Sequence, residues 1–293
     1  MVWTGAQPGR VAFAKEPDPS QFDMPSFRNL AKSSIVFLLG ENSKPRRILG
    51  GLARGYRLDV SPSEHLSYLL GTNEPHLQKA IRQFVSPGCV AYDIGANLGY
   101  VSLSLAKRVG SRGRVIAFEP FPQSIANFRK NIEINSIENI RLLEFAASDH
   151  AGEVAIRVLE NPSTASLVWH RENASAKQFT IRAVRIDDLV EAGDIPFPNF
   201  VKIDVEGAEA SVLQGMRRTI AAARPILFVE CSEIGREKSW HLLKELGYRC
   251  QSAITRKKIE RFEDYLHSDF LWLPGTGDAN YRRNTTSAAS PAR

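Results

Sequence analysis

The chain contains few cysteines and no long hydrophobic run. Its 293 residues include only Cys89, Cys231 and Cys250, and no two of them have C-x-x-C spacing. An odd count without that spacing argues against a disulfide framework or a zinc site and is compatible with a reducing compartment. Residues 1–25 lack the apolar centre of a signal peptide, and the apolar run 34–40 is too short to span a bilayer. We therefore expect a soluble, cytoplasmic protein.

Acidic residues are the scarcer charged class, with 32 Asp+Glu against 38 Lys+Arg and a formal net charge of +6. A basic cluster precedes the main domain and comprises Lys44, Arg46, Arg47, Arg54 and Arg57. Such a cluster could meet nucleic acid or an anionic membrane, although a solvated basic face is the commoner outcome. No nucleic-acid motif accompanies it. The sequence therefore disfavours a nucleic-acid partner, leaves peripheral membrane contact open and does not fix the oligomeric state.

The distribution of apolar residues along the chain predicts one main domain with a small N-terminal appendage. Residues 1–26 and 276–293 are poor in apolar residues, and we expect both ends to be disordered. Residues 27–86 mix short apolar runs with glycines and predict an α/β appendage, while the main domain spans 87–275. Alternating apolar and polar residues at about 150–185 predict an antiparallel excursion inserted in the main sheet, a natural place for substrate recognition.

Strand and helix signals alternate through the main domain. Strands are predicted over residues 90–94, 114–118, 140–145, 200–205, 225–231 and 270–273. Helices are predicted over residues 97–109, 122–134, 208–222 and 237–246. Alternation of this kind predicts an α/β fold, with a mostly parallel sheet covered by helices on both faces.

A glycine turn after the first of these strands indicates a nucleotide-like ligand. Residues 93–99, DIGANLG, lead from a buried strand into a helix, which brings backbone N–H groups close to a ligand. The turn offers Gly95 and Gly99 but no G-x-G-x-x-G, and Asp93 before them would repel a pyrophosphate. The pattern suits a ligand with a cationic end, such as the amino acid portion of S-adenosylmethionine. The alternative is an ordinary strand-to-helix turn.

Polar residues also follow the next two strands. Glu119 ends the second strand, where we expect its carboxylate to accept hydrogen bonds from ribose hydroxyls; the alternative is an acid that caps the following helix. Ser148 and Asp149 close the third strand, where they could border an adenine ring or form a common turn.

The strand predicted over residues 200–205 carries a lysine and an aspartate, and further acids follow it. Lys202 and Asp204 fall on one face of this strand, so they can pair, and Glu206 and Glu209 follow. Glu230 ends the next strand at the same edge. The acids could hold a divalent metal, but no histidine lies near them in sequence, so we favour a general base with supporting groups and predict no metal site. The alternative is a buried ion pair with helix-capping acids.

Together these motifs resemble the FkbM family of S-adenosylmethionine-dependent methyltransferases. The matching segments cover roughly residues 66–247 and are LGTNEP at 70–75, YDIGANLG at 92–99, FEP at 118–120, ASD at 147–149 and KIDVEGAE at 202–209. The resemblance implies a Rossmann-like class I methyltransferase fold, with a mostly parallel seven-stranded sheet whose last strand is antiparallel. It also implies O-methylation of a saccharide, glycolipid or natural product.

The resemblance further implies where the cofactor binds. Its residues would be Glu74, Asp93, Gly95, Asn97, Gly99, Glu119, Ser148, Asp149 and Asp204. Of these, Asp93, Gly95 and Asn97 would hold the methionine end, Glu119 the ribose, and Ser148 and Asp149 the adenine side. After the third strand the chain reads NPSTAS at 161–166, which departs from the family pattern and leaves the acceptor region open.

Methyl transfer to a hydroxyl requires alignment of the acceptor and a base for its proton. We hypothesise that Asp204 or Glu206 is the base, that Lys202 orients it and that Glu230 lines the acceptor pocket. Other hypotheses are a methyltransferase acting on nucleic acid, lipid or protein, a cofactor-binding module without catalysis, and a nicotinamide oxidoreductase.

Overall fold

The computed structural model describes Val36 and residues 40–158, 177–231, 233–264 and 268–275. The ends expected to be disordered, residues 1–26 and 276–293, and the segment 161–166 lie outside the described residues. The chain divides into two units, Met1–Gly40 and Glu41–Arg293, and the elements below belong to the second.

Strands and helices alternate along the second unit. The strands are β1 (Lys44–Arg47), β2 (Arg57–Val60), β3 (Val90–Ile94), β4 (Arg114–Phe118), β5 (Ile140–Leu143), β6 (Ala146–Ala147), β7 (Gly152–Val158), β8 (Lys177–Val184), β9 (Phe200–Ile203), β10 (Ile226–Glu230), β11 (Tyr248–Ser252), β12 (Lys258–Ile259) and β13 (Asp269–Pro274). The helices are α1 (Pro62–Leu70), α2 (Pro75–Phe84), α3 (Tyr100–Val109), α4 (Pro122–Glu133), α5 (Ile186–Glu191), α6 (Glu209–Gly215), α7 (Arg217–Ala223) and α8 (Glu233–Glu245). No helix in the described ranges is long and apolar enough to cross a membrane.

The main sheet has the strand order β12-β11-β13-β10-β9-β3-β4-β5. The strands from β10 to β5 run parallel, while β13 is antiparallel to both of its neighbours, β10 and β11. The predicted seven-stranded sheet with an antiparallel last strand is therefore confirmed. The two-residue strand β12 extends it by one strand at the edge.

The predicted antiparallel pair is present as β7 and β8, but it is not inserted in the main sheet. These strands form a separate sheet with β6, which pairs in parallel with β8. Val154, Ile181 and Ala183 form a small buried cluster of their own there, so this sheet has its own apolar contact surface.

Two predicted helices differ from the observed ones. The helix predicted over 208–222 is interrupted at the buried residue Met216, where the backbone turns to φ −121° and ψ 18°. A Cβ added at the preceding Gly215 would overlap the carbonyl oxygen of Ser148, so the break lies where the helix meets the chain after β6. The helix predicted from residue 97 begins later, because Asn97 and Gly99 have positive φ.

Apolar side chains cover both faces of the main sheet. Along β3, Tyr92 and Ile94 join one buried cluster and Ala91 joins the other, as the alternation of a strand requires. The second cluster also contains Leu58 of β2 and Leu77 of α2. The described part of the predicted appendage therefore packs on the core of the main sheet.

Candidate active site

Five strands bring their polar ends to one edge of the main sheet. The parallel strands β3, β4, β9 and β10 finish at this edge, which in open α/β sheets is where ligands bind. Because β13 is antiparallel, it begins there instead, with Asp269 directly opposite Glu230.

The glycine turn after β3 packs closely against its neighbours. The N–H groups of Gly95 and Ala96 both donate to the carbonyl oxygen of Phe118, at 3.0 Å each. Gly95 has φ +79°, and a Cβ there would overlap the carbonyl oxygen of Asp204. Glycine is therefore required for the turn to lie against the end of β9.

A buried lysine joins this turn to β9. Lys202 Nζ donates to the carbonyl oxygen of Gly95 at 2.8 Å and lies 3.4 Å from Asp93 Oδ1 and 3.3 Å from Asp204 Oδ2. Burial acts to lower the pKa of Lys202, but Asp204, Asp93 and Glu74 outweigh it and raise the pKa, so the ammonium stays charged. The predicted pairing of Lys202 with Asp204 is confirmed.

Asp93 is fully buried beneath the turn. Its Oδ2 accepts a hydrogen bond from Ser102 Oγ at 2.5 Å. Burial raises the pKa of this carboxyl, and the charge of Lys202 and the bond from Ser102 oppose that rise. Asp93 therefore contacts the groups that hold the turn in place.

Glu119 is fixed by two backbone donors. Its Oε2 accepts from the N–H of Asn97 at 2.7 Å, and its Oε1 accepts from the N–H of Phe121 at 2.9 Å. Burial raises the pKa of Glu119, and these two hydrogen bonds oppose the rise. The bond to Phe121 reaches the residue just before α4, but no side chain of the described residues caps the first turn of that helix. The bond to Asn97 also ties the carboxylate to the glycine turn.

Ser148 and Asp149 follow β6, which belongs to the separate three-stranded sheet. Ser148 is buried after β6, and its Oγ donates to Asp149 Oδ1 at 3.1 Å. The same oxygen of Asp149 lies 2.8 Å from His150 Nδ1. Within the described ranges, no hydrogen bond or ion pair joins Ser148 or Asp149 to Lys202; both contact His150 instead.

Two glutamates with raised pKa values face the end of β9. Burial raises the pKa of Glu230 to about 8, and the charges of Asp204, Asp269 and Glu74 add to this effect. Burial likewise raises the pKa of Glu74 to about 7, with Asp204 contributing and Lys202 opposing. Glu74 precedes α2, so the appendage supplies one acid to a group otherwise formed by strand ends.

The two acids after Asp204 have different surroundings. Glu206 adopts a left-handed backbone conformation with φ +50°. The residue as a whole is exposed, but its carboxyl is partly buried, and this burial and the charge of Asp204 raise its pKa. Glu209 is buried and accepts a hydrogen bond from the N–H of Gly207 at 2.8 Å. In the described part of the chain, no group of three or more His, Cys, Asp or Glu side chains is arranged to hold a metal ion.

Comparison with known proteins identifies the family. Residues 93–250, more than half of the chain, match the profile described as the methyltransferase FkbM domain. The chain belongs to the FkbM methyltransferase family. The family assignment from the sequence motifs is therefore confirmed.

Named relatives of this FkbM-family chain include two methyltransferases. The chain is 27% identical over 177 residues to the hexuronic acid methyltransferase AglP of Haloferax volcanii, covering 60% of this chain and 69% of that protein. It is 27% identical over 176 residues to the 2-O-methyltransferase NoeI of Sinorhizobium fredii, covering 53% of this chain and 70% of that protein. The crystal structure of methyltransferase FkbM from Methylobacillus flagellatus KT aligns with a TM-score of 0.42 and 17% identity over 84% of this chain. The chain spans 59% of that protein.

Sequence reasoning missed an aromatic stack beside the acids of this FkbM-family site. The Tyr68 ring lies 4.8 Å from that of Tyr100 and 5.4 Å from that of His65, measured between centroids. Burial raises the pKa of Tyr68, and the charge of Glu74 adds to this effect. The sequence feature that could have indicated Tyr68 was its position two residues before the family segment at 70–75. Asp269 was missed because the late strand was expected to begin one residue later.

Proposed function

We propose that the chain is an S-adenosylmethionine-dependent O-methyltransferase that acts on a hydroxyl group of a saccharide, glycolipid or related natural product. Membership of the FkbM family supports methyl transfer, and the relatives named for a hexuronic acid and for 2-O-methylation support a saccharide acceptor. The observation that carries the proposal is the contact of Lys202 with both the Gly95 turn and Asp204, since it links a ligand-binding turn to the acids of the next strand.

The residues around the turn fit a cofactor of this kind. Asn97 is exposed at the turn, and each oxygen of Glu119 retains a lone pair beyond its one backbone bond. Gly95, Asn97, Gly99 and Asp204 would hold the methionine end, and Glu119 the ribose.

Three further residues complete the proposed cofactor site. Ser148 and Asp149 would border the adenine, and Glu74 would lie near the methionine end. Asp93 acts indirectly in this proposal, because its buried side chain contacts Ser102 and Lys202.

S-adenosylmethionine, when bound, supplies an electrophilic methyl group on a sulfonium. The chain must orient the acceptor hydroxyl and accept its proton during the displacement. A carboxyl with a pKa of about 8 is well matched to proton transfer near neutral pH, which favours Glu230 as the base, whereas the sequence suggested Asp204 or Glu206. Asp204, held by Lys202, orients the hydroxyl, and the exposed Glu206 is the second candidate for the base.

Amide variants of the three acids test these roles. Asp204→Asn, Glu206→Gln and Glu230→Gln would be assayed for turnover on a panel of neutral and acidic saccharides and for S-adenosylhomocysteine binding by calorimetry. We expect Glu230→Gln to lose at least about a hundredfold in kcat while keeping its ligand affinity. The exposed residue Glu237 provides the matched control, Glu237→Gln. Full turnover in Glu230→Gln would show that Glu230 is not the base. If the unmodified chain bound S-adenosylhomocysteine but turned over no acceptor, the proposed activity would be wrong.

A further inference from the structure

Two arginines face each other across the hairpin formed by β1 and β2. Arg47 lies directly opposite Arg57 in the antiparallel register, and both side chains are exposed. Like charges at directly opposed positions destabilise a strand pair. No ion pair or side-chain hydrogen bond of either arginine occurs within the described ranges. The pair is therefore a local concentration of positive charge that the described residues do not neutralise.

Further cations surround this pair, and acids are few. Arg54 is exposed in the turn between the two strands, and Lys107 of α3 donates to the carbonyl oxygen of Arg54. Residues 41–60 contain five basic and two acidic residues. One of the two acids, Asp59, is buried and pairs with Lys130, so it contributes little to neutralising the exposed charge.

The same region exposes large aliphatic side chains. Leu49 is 63% exposed and Leu70 is 37% exposed, and Phe197 is the other large hydrophobic residue exposed in the described part of the chain. Leu49 follows β1, and its N–H donates to the carbonyl oxygen of Leu69 at 2.8 Å, which brings the end of α1 beside the hairpin. Exposed leucines among unpaired arginines form a surface that is both cationic and apolar.

We propose that this hairpin surface, formed by Arg47, Leu49, Arg54, Arg57 and Leu70, docks on a bilayer that carries anionic phospholipid. Basic side chains near such a bilayer are attracted by its negative surface potential, and leucines gain by entering the interface between headgroups and acyl chains. A nucleic acid would use the arginines but would leave the leucines without a partner. Because α1 carries both Leu70 and Tyr68, docking would hold the active site close to the bilayer.

Sedimentation of the full chain with lipid vesicles tests the proposal. We expect binding to vesicles of phosphatidylcholine mixed with phosphatidylglycerol, no binding to phosphatidylcholine alone, and release as the salt concentration rises. The double variant R47E/R57E should bind at least about tenfold more weakly. K238E/K257E changes the net charge equally at exposed lysines elsewhere and should bind like the unmodified chain. Leu49→Ser should weaken binding, whereas Phe197→Ser should not.

Two measurements keep the test decisive. S-adenosylhomocysteine binding reports whether R47E/R57E is folded, and the milder R47Q/R57Q replaces it if that binding is lost. Equal binding to neutral vesicles, no binding to anionic vesicles, or unchanged binding by the folded arginine variant would overturn the proposal. Tighter binding to a DNA duplex than to anionic vesicles, with no effect of Leu49→Ser, would also overturn it and indicate a nucleic-acid surface.

Discussion

Lys202 donates a hydrogen bond to the carbonyl oxygen of Gly95 across 2.8 Å, and this contact joins the end of β9 to the turn after β3. Because Asp93 and Asp204 both lie within 3.4 Å of the same ammonium, one buried charge supports the turn and holds the acid of the neighbouring strand. Loss of this charge should therefore affect both folding and ligand binding.

Replacing Lys202 by methionine should destabilise the protein by about 3 to 5 kcal/mol, because Asp93 would remain buried without its counter-charge. Urea unfolding measures this loss. The double variant D93N/K202M removes both charges and should recover part of it, so the two effects should not add. Additive losses would show that Lys202 and Asp93 stabilise the fold independently.

Replacing Glu119 by glutamine should weaken S-adenosylhomocysteine binding by about tenfold or more. The new NH2 group must face one of the two backbone N–H donors, so one of the bonds to Asn97 and Phe121 is lost at a cost of about 1 to 3 kcal/mol. Calorimetry would measure the affinity, with the exposed Glu133→Gln as the control. Unchanged affinity would argue against contact between Glu119 and the cofactor.

The stability of the protein should depend on the ionisation of Glu230. Its pKa is about 8 in the folded state, above the ordinary value of 4.5, so its contribution is fully present below about pH 4.5 and is lost as the pH rises through 8. Glu230→Gln should therefore match the unmodified protein at pH 5 and melt about 2 to 4 °C higher at pH 9. The half-buried position screens part of the effect. A constant difference in melting temperature across this range would contradict the assignment.

The rate of methyl transfer should follow the same ionisation if Glu230 is the base. Below pH 8, kcat should rise with pH as the carboxylate forms, and it should level off above that value. The Glu230→Gln variant should lose this dependence along with its activity. A pH profile that the substitution leaves unchanged would assign the proton transfer to another group.

Removing the Tyr68 hydroxyl should affect acceptor use more than cofactor binding. Tyr68→Phe keeps the ring beside that of Tyr100 but loses a hydroxyl whose pKa the charges of Glu74 and Asp204 raise, so we expect kcat/KM for the acceptor to fall by about tenfold. S-adenosylhomocysteine affinity should stay the same. Tyr56→Phe, at a tyrosine beneath Lys107, provides the control. A fall in cofactor affinity alone would move Tyr68 to the cofactor side of the site.

The local sequence was sufficient to predict the strands at the centre of the main sheet. The strands at 90–94 and 114–118 were predicted with their observed bounds, because each is a short, mainly apolar run next to a glycine. The contact between Lys202 and Asp204 followed from their spacing, since residues two apart on a strand share a face. These predictions depend only on neighbouring residues.

Residues distant in sequence had to be found from the structure. Tyr68 and Asp269 reach the site from chain segments more than 60 residues away from Asp204 on either side, and no local pattern records that approach. The interruption at Met216 was also not predicted from the sequence, because the close approach of Gly215 to Ser148 is a tertiary contact. Tertiary packing overrode a helical pattern that is continuous in the sequence.

The insertion of β13 between β10 and β11 has a consequence for assembly. Strands β10 and β11 are separated by only one helix in the chain, yet they pair with β13 and not with each other. Until β13 arrives, both carry an open edge, and the acid opposite Glu230 is missing. A chain truncated before Asp269 would therefore lack β13, the strand that joins β11 to the rest of the sheet, and its active site would be incomplete.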